Sequence, residues 1–248
     1  MHARSLYGQP AIYDLLFHGW SADLAHYLAL AEALRPASIL ECAVGSGRVA
    51  LHLARAGHRV HGVDLDPAML EALAARMARE PSAVQARLSW ALGDLRALDT
   101  GRRHGLVLAP FNALGHLHSA ADLAAFLGGV RAELEPGGTF AFDVWLPSEA
   151  SLAGRVSDSP RFRDPRTQEP MRCTETTRVD PATGLLHVEL ALHGLDGDPP
   201  EVLAIALRVR DGDTLGAALA EAGFLVRETV DLGEMQGWIC QAARSGLP

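Results

Sequence analysis

Ala37-Ser-Ile-Leu-Glu-Cys-Ala-Val-Gly-Ser-Gly-Arg-Val-Ala-Leu-His-Leu-Ala54 is the stretch whose reading decides the fold. It opens as a short apolar strand, Ser38 to Cys42, bends through Ala43-Val-Gly45-Ser-Gly47 and runs into an Ala/Leu-rich helix. Small residues at such a bend let the backbone approach a ligand closely. The helix start behind it offers unpaired N–H groups and a positive dipole end. A second apolar strand, Arg59-Val-His-Gly-Val63, follows and ends on Asp64. A carboxylate in that place suits the two hydroxyls of a ribose. The unit therefore predicts a nucleoside-containing cofactor.

Two cofactors compete for it. Gly45-Ser-Gly47-Arg-Val-Ala50 fits the dinucleotide pattern G-x-G-x-x-G/A, with Asp64 at about the expected distance, and this reading makes the chain an NAD(P)-dependent oxidoreductase. Glu41, at the end of the first strand, argues against it. A pyrophosphate would bring two negative charges close to that carboxylate in a partly desolvated cleft. A zwitterionic amino-acid tail would instead place its ammonium there.

Composition narrows the classes further. With 248 residues the chain can bury a sizeable core, and 48% hydrophobic with 21% charged residues is the balance of a soluble globular protein. A net charge of −8 argues against a general nucleic-acid binder, which needs clustered cations. No run approaches the roughly 20 apolar residues of a membrane span, and Met1-His-Ala-Arg-Ser carries no apolar signal core. Cys42, Cys173 and Cys240 are scattered and odd in number, unlike a disulfide framework or a zinc cluster, so a cytoplasmic location is expected. Every basic residue other than histidine is arginine. The absence of lysine excludes Schiff-base and pyridoxal-phosphate chemistry.

Along the chain, residues 7–34 read as a helical lid carrying Tyr7, Tyr13 and Trp20, with Ser21 as the cap of its second helix. Asp66-Pro67 starts a helix after Asp64. Further strands are expected at Arg87–Leu92, closed by Gly93-Asp94-Leu95, at Leu106–Ala109, opening into Pro110-Phe111-Asn112, and at Thr139–Asp143, with a helix from Ala120 to Leu134. Such alternation predicts an α/β fold with a parallel sheet wrapped on both faces. Ligands in these sheets bind at the carboxyl ends of the strands, where Glu41, Asp64, Asp94, Phe111 and Asp143 all fall. After Pro147 the texture changes. A hairpin at 174–192 and a third strand at 201–210 predict an antiparallel insertion, followed by a helix at 213–222 and a closing strand pair. The expected division is a core of 1–146 and 211–248, including the 1–34 lid, and an acceptor-binding insertion of 147–210.

Leu40-Glu41 to Arg48, Gly62-Val-Asp64-Leu-Asp66-Pro-Ala-Met-Leu70, Gly93-Asp94, Ala109-Pro-Phe-Asn-Ala-Leu-Gly-His-Leu117, Leu134-Glu-Pro-Gly-Gly138 and Phe142-Asp143 stand in one order along most of the chain. That order resembles the class I S-adenosylmethionine (SAM) methyltransferases, in the branch of small-molecule enzymes similar to the sugar-amine N-methyltransferases. The resemblance implies a Rossmann-like seven-stranded sheet, SAM as cofactor with S-adenosylhomocysteine as product, and methyl transfer to nitrogen or oxygen of a small-molecule acceptor. It implies that Glu41, Ala43, Gly45 and Gly47 line the methionine part of the cofactor. Asp64 would hold the ribose, with Leu65 and Met69 against the adenine. Gly93, Asp94 and the Leu95 backbone would read the adenine edge. Ala109, Pro110 and Phe111 would pass close to the sulfonium, and Tyr13 and Trp20 would close from the lid. Ala43 departs from the family's first glycine, which leaves room for a cofactor-binding protein without catalysis.

Methyl transfer from a sulfonium needs mainly positioning and, for some nucleophiles, a base. His116 is the candidate base on the ground of its near-neutral imidazole, with Tyr13 and Asn112 as further catalytic candidates. Tyr7, Asn112, His116, Asp143 and Trp145 are the candidates for holding the acceptor. The spacing of His116 and His118 at a loop-to-helix boundary does not make a metal site, and none is expected. A small molecule is the expected partner, with a homodimer left open.

Overall fold

The computed structural model describes residues 4–17, 19–145, 155–158, 161–194 and 198–243. Contacts divide the chain into two units, Met1–Gly19 with Pro147–Val209, and Trp20–Leu146 with Arg210–Pro248. The first unit begins with β1 (Arg4–Ser5) and α1 (Pro10–Phe17). The second contains α2 (Ala22–Leu34), β2 (Ile39–Cys42), α3 (Arg48–Arg55), β3 (Val60–Asp64), α4 (Pro67–Met77), α5 (Ser82–Gln85), β4 (Leu88–Leu92), β5 (His104–Ala109), α6 (Ala120–Glu133) and β6 (Leu134–Trp145). The chain then supplies β7 (Arg155–Asp158), β8 (Phe162–Arg163), β9 (Pro170–Val179), β10 (Leu185–His193) and β11 (Glu201–Arg208) to the first unit. It finishes in the second with α7 (Gly212–Glu221), β12 (Phe224–Asp231) and β13 (Met235–Ala242).

The second unit is built on a seven-stranded sheet in the order β12-β13-β6-β5-β2-β3-β4. β2 lies inside it, with Ile39 opposite Val60 on one side and Leu106 on the other, both in parallel register. All four residues of β2 are buried, as a strand covered on both faces requires. Leu40, Val107, Phe140 and Phe142 face the layer of α6 and α7, whereas Ile39, Leu108 and Ala141 face α2, α3 and α4. β13 runs antiparallel to both β6 and β12, and β12 with β13 is the expected closing strand pair. Asp66 caps α4, its Oδ1 accepting from the Ala68 N–H at 2.8 Å, with Pro67 in the first turn. At the amino end of the sheet, His104 Nδ1 lies 3.0 Å from Ser38 Oγ, and Glu133 accepts from the Thr100 N–H at 2.9 Å.

The first unit is the antiparallel sheet, with β10 between β9 and β11 and β7 on the far side of β9. The structure differs here from the expectation of one 1–34 lid attached to the core. β1 pairs in parallel with β11, Arg4 opposite Leu203. Leu6 and Ile12 are buried with Met171, Leu190, Leu192 and Leu203, so the first helix shares its apolar face with the insertion. α2 instead buries Tyr27 and Ala31 with Ile39 and Leu106 in the second unit. Ser21 makes no side-chain cap bond to α2. Part of the segment read as irregular, residues 147–154 and 159–160, lies outside the described residues.

Phe140 concentrates the core energy on the α6 side. It is fully buried, with its ring centroid 5.0 Å from that of Phe142, 5.7 Å from Phe224 and 6.0 Å from Phe126. Phe140→Ala is expected to lower the unfolding free energy by about 3–5 kcal/mol, measured by denaturant titration.

Candidate active site

The glycine turn is held in place by the strand beside it. Gly45 N–H donates to Asp64 Oδ2 at 2.7 Å and Asp66 N–H to Asp64 Oδ1 at 2.9 Å, so the carboxylate that ends β3 also fixes the turn after β2. Burial pushes the Asp64 carboxyl up, and the two backbone N–H groups oppose that shift. Gly45 has φ +54°, and a Cβ built there meets nothing within 4 Å, which leaves the cradle open. Gly47 has φ +86°, and a Cβ there would come 2.4 Å from the Leu73 side chain. Ala43 shares the left-handed region at φ 58° without glycine's freedom, a cost of roughly 1–2 kcal/mol that the turn bears.

Behind the turn lies a group of charges that only partly satisfy one another. Glu41 is buried, and its Oε2 has no hydrogen-bond partner among the described residues. Burial raises its carboxyl well above the usual range; Arg48 opposes the shift, and Asp23 and Asp64 add to it. Arg48, which opens α3, donates from Nη1 to Asp23 Oδ1 at 2.8 Å and to the Trp20 carbonyl at 3.1 Å. Its guanidinium carbon lies 4.9 Å from the centre of the Phe111 ring. The Trp20 and Phe111 ring centroids are 6.3 Å apart, and the buried Trp20 Nε1 has no partner among the described residues. Arg48 and Asp23 had no assigned role in the sequence. The arginine stands directly after Gly47, and that adjacency is the only signal that could have marked it.

Asp143 departs from its expected role. It is fully buried and cannot present its carboxylate to an acceptor. Its Oδ2 accepts from the Tyr27 hydroxyl at 2.7 Å and the Phe111 N–H at 2.9 Å, and its Oδ1 from the Asn112 N–H at 3.0 Å. Burial pushes its carboxyl up to about 6, with these three donors opposing. Asn112 Oδ1 in turn accepts from the Trp145 N–H at 3.3 Å.

The methyltransferase-domain family matches residues 39–138, from the first residue of β2 into β6. The chain is 31% identical to dTDP-3-amino-3,6-dideoxy-alpha-D-glucopyranose N,N-dimethyltransferase of Streptomyces fradiae, over 72% of its own length and 73% of the relative's. It is 27% identical to dTDP-3-amino-3,4,6-trideoxy-alpha-D-glucopyranose N,N-dimethyltransferase of Streptomyces venezuelae, over 71% and 78%. Among solved structures it matches the CcbJ methyltransferase of Streptomyces caelestis with a TM-score of 0.75 and 26% identity, covering 91% of this chain and 96% of that one. This chain belongs to the SAM-dependent methyltransferases.

The site fits SAM on its own chemistry. An orphaned, buried carboxylate oxygen beside an open glycine cradle favours a cation, which the cofactor's ammonium and sulfonium supply and a dinucleotide's pyrophosphate does not. Leu65, which the resemblance places against the adenine, is 62% exposed, and Leu92, which carried no assignment in the sequence, is 63% exposed. Leu92 lies opposite Asp64 in the β3–β4 register. Met69, which the resemblance places against the adenine, is only 1% exposed in the first turn of α4.

Gly93 N–H donates to the Asp64 carbonyl at 2.9 Å, and Leu95 is half-buried against the core. Asp94 already accepts from Arg96 Nε at 2.9 Å and Arg96 N–H at 2.9 Å, so an adenine amino group would share that carboxylate. A cleft of about 280 Å³ takes in Gly93 and Asp94 but neither Asp64 nor the glycine turn; it runs along the flank of β3 and β4 past His61 and Arg102. Its volume therefore does not locate the chemistry.

Ala109 and Pro110 are buried and can contribute only backbone. His116 ends a short 3₁₀ turn, Ala113–His116. It is exposed by surface area, yet surrounding protein, with His118 second, pushes its imidazole down to about 4. At pH 7 the ring is neutral. Tyr7 and Tyr13 belong to the first unit, where their ring centroids lie 5.6 Å apart and Tyr13 lies 5.0 Å from Phe17.

Met69→Ala is expected to cost about 2–5 kcal/mol of folding stability while S-adenosylhomocysteine affinity stays within about twofold of wild type, read by thermal unfolding and calorimetry. A large loss of affinity at unchanged stability would return Met69 to the adenine pocket.

Proposed function

We propose that this methyltransferase N-methylates the amino group of a nucleotide-linked amino sugar. The observation that carries the reading is the 31% identity, over 72% of the chain, to an enzyme named for N,N-dimethylation of such a sugar. The site supports nitrogen over oxygen. Asp143 is enclosed and its three donors are committed, and the His116 imidazole is depressed, so neither offers a strong base at the mouth. An amine loses its proton to water near neutral pH and then needs orientation more than deprotonation, whereas a sugar hydroxyl needs a base. Bound SAM supplies an already activated methyl group.

The chain's own part is to bind and orient. Glu41 faces the cofactor's ammonium, and Asp64 receives the ribose hydroxyls on lone pairs not used by Gly45 and Asp66. Leu65 and Leu92 cover the adenine, with Asp94 and the Leu95 backbone at its edge. Phe111 and Trp20 form the aromatic side of the sulfonium site, where ring faces favour a cation. Asn112 and His116 orient the acceptor by hydrogen bonding. No helix among the described residues is long and apolar enough to cross a membrane. Cys42, Cys173 and Cys240 are buried and not joined in a disulfide, which supports a reducing, cytoplasmic setting.

The deciding experiment incubates the protein with SAM and a panel of thymidine diphosphate-linked amino sugars, hydroxy sugars and phenols, with products followed by mass spectrometry. Methylated amine together with S-adenosylhomocysteine is expected; methylation confined to hydroxyls would overturn the reading.

A pH dependence follows from Glu41. Burial raises its carboxyl, and a bound cation favours the ionised form, so binding below that raised value releases a proton. SAM affinity is expected to strengthen as pH rises above the ordinary carboxylate range, for as long as the cofactor's ammonium stays protonated, with a slope of at most about tenfold per pH unit for one proton. Calorimetry in buffers of different ionisation enthalpy measures the release, which Glu41→Gln should abolish.

A further inference from the structure

Phe111 and Asn112 are consecutive non-glycine residues with φ of 55° and 56°, both in the left-handed region where an L side chain meets the backbone. The turn after β5 does not adopt this pair by local preference. The observed partners that hold it come from elsewhere in the sequence. The two N–H groups of the pair point at the two oxygens of one carboxylate, Phe111 to Asp143 Oδ2 at 2.9 Å and Asn112 to Oδ1 at 3.0 Å. The Tyr27 hydroxyl completes the set from α2 at 2.7 Å. A fully buried carboxylate is expensive to keep, and three donors only partly offset that. An apolar residue would serve the core better, so the carboxylate's place is explained by what it holds.

The Phe111 ring lies under the Arg48 guanidinium and beside Trp20, and the Asn112 amide meets the last residue of β6 through the Trp145 N–H.

We propose that Asp143 is a positioning residue for methyl transfer: with Tyr27 it clamps the left-handed Phe111–Asn112 pair so that the Phe111 ring and the Asn112 amide keep their aim at the transfer site. Asp143 touches neither cofactor nor acceptor and acts through the turn. The proposal rests on the methyltransfer reading for its catalytic consequence but not for the clamp itself. The groups facing the carboxylate are Tyr27 and Asp23 of α2 and the two turn N–H groups; from β13 the residue opposite is Gly237, which brings no charge.

Two measurements test it on the full-length chain. In ¹⁵N-labelled protein the Phe111 and Asn112 amide signals should titrate together with a midpoint about 6, and Asp143→Asn should remove that titration. Amide signals insensitive to Asp143 would overturn the clamp, whatever the acceptor turns out to be. In turnover, Asp143→Asn should lower kcat by about tenfold or more while S-adenosylhomocysteine Kd stays within about threefold. An unchanged kcat, or a kcat and Kd that fall in step, would overturn the positioning role. Should Asp143→Asn fail to fold, Tyr27→Phe removes a single donor at nearly constant volume. It should lower kcat by about two- to fivefold without moving Kd, and an unaltered kcat would count against the proposal. The amide titration needs no acceptor, so a panel without turnover would strike the sugar-amine reading and leave the clamp to be decided on its own signal.

Discussion

A carboxylate at the end of one parallel strand, receiving backbone N–H groups from the turn that ends its neighbour, is the interaction on which the site depends. It occurs twice. Asp64 at the end of β3 takes the Gly45 N–H from the turn after β2, and Asp143 in β6 takes the Phe111 and Asn112 N–H groups from the turn after β5. β2 and β5 are adjacent in the sheet. The two turns therefore flank the crevice between the central strands, where a doubly wound sheet changes direction and binds its ligands. Each turn contains backbone in the left-handed region, Ala43, Gly45 and Gly47 in the first and Phe111 and Asn112 in the second, and each is tied to a carboxylate of the neighbouring strand.

The arrangement carries an electrostatic cost that a cationic cofactor offsets. Glu41, Asp64 and Asp143 all have carboxyls raised chiefly by burial, and Arg48, the cation set among them, is already paired with Asp23. Leaving several carboxylates in a low-dielectric cleft disfavours their charged forms. A ligand bearing an ammonium and a sulfonium reverses that preference, so binding and ionisation support each other. The same excess of negative charge disfavours a pyrophosphate. The dinucleotide pattern in Gly45-Ser-Gly47-Arg-Val-Ala50 thus describes the backbone turn correctly and misleads about the ligand.

What could be read from the sequence was what local spacing controls. The β2–turn–α3–β3 unit, the Asp66-Pro67 cap and the three-strand insertion follow from periodicity and turn residues, and they stand within a few residues of where those signals put them. Met69 shows the limit of adjacency: being close to Asp64 along the chain does not say which face of α4 a side chain takes, and this side chain is buried. Leu6 and Ile12 show the same limit at larger scale. Their apolar spacing marks a buried face, but nothing local says that the buried face belongs with β11 and not with the sheet that follows.

The hidden part of the site is made of pairings across long sequence separations, Tyr27 with Asp143 and Asp23 with Arg48. Tyr27 reads as one more apolar position on a helix, and its ring does pack in the core with Ile39 and Leu106. Its hydroxyl, though, reaches the carboxylate that holds the turn after β5. One residue thus ties α2 into the core and the turn into the site. That dual use makes one buried contact serve both the packing of α2 on the sheet and the geometry of the turn after β5.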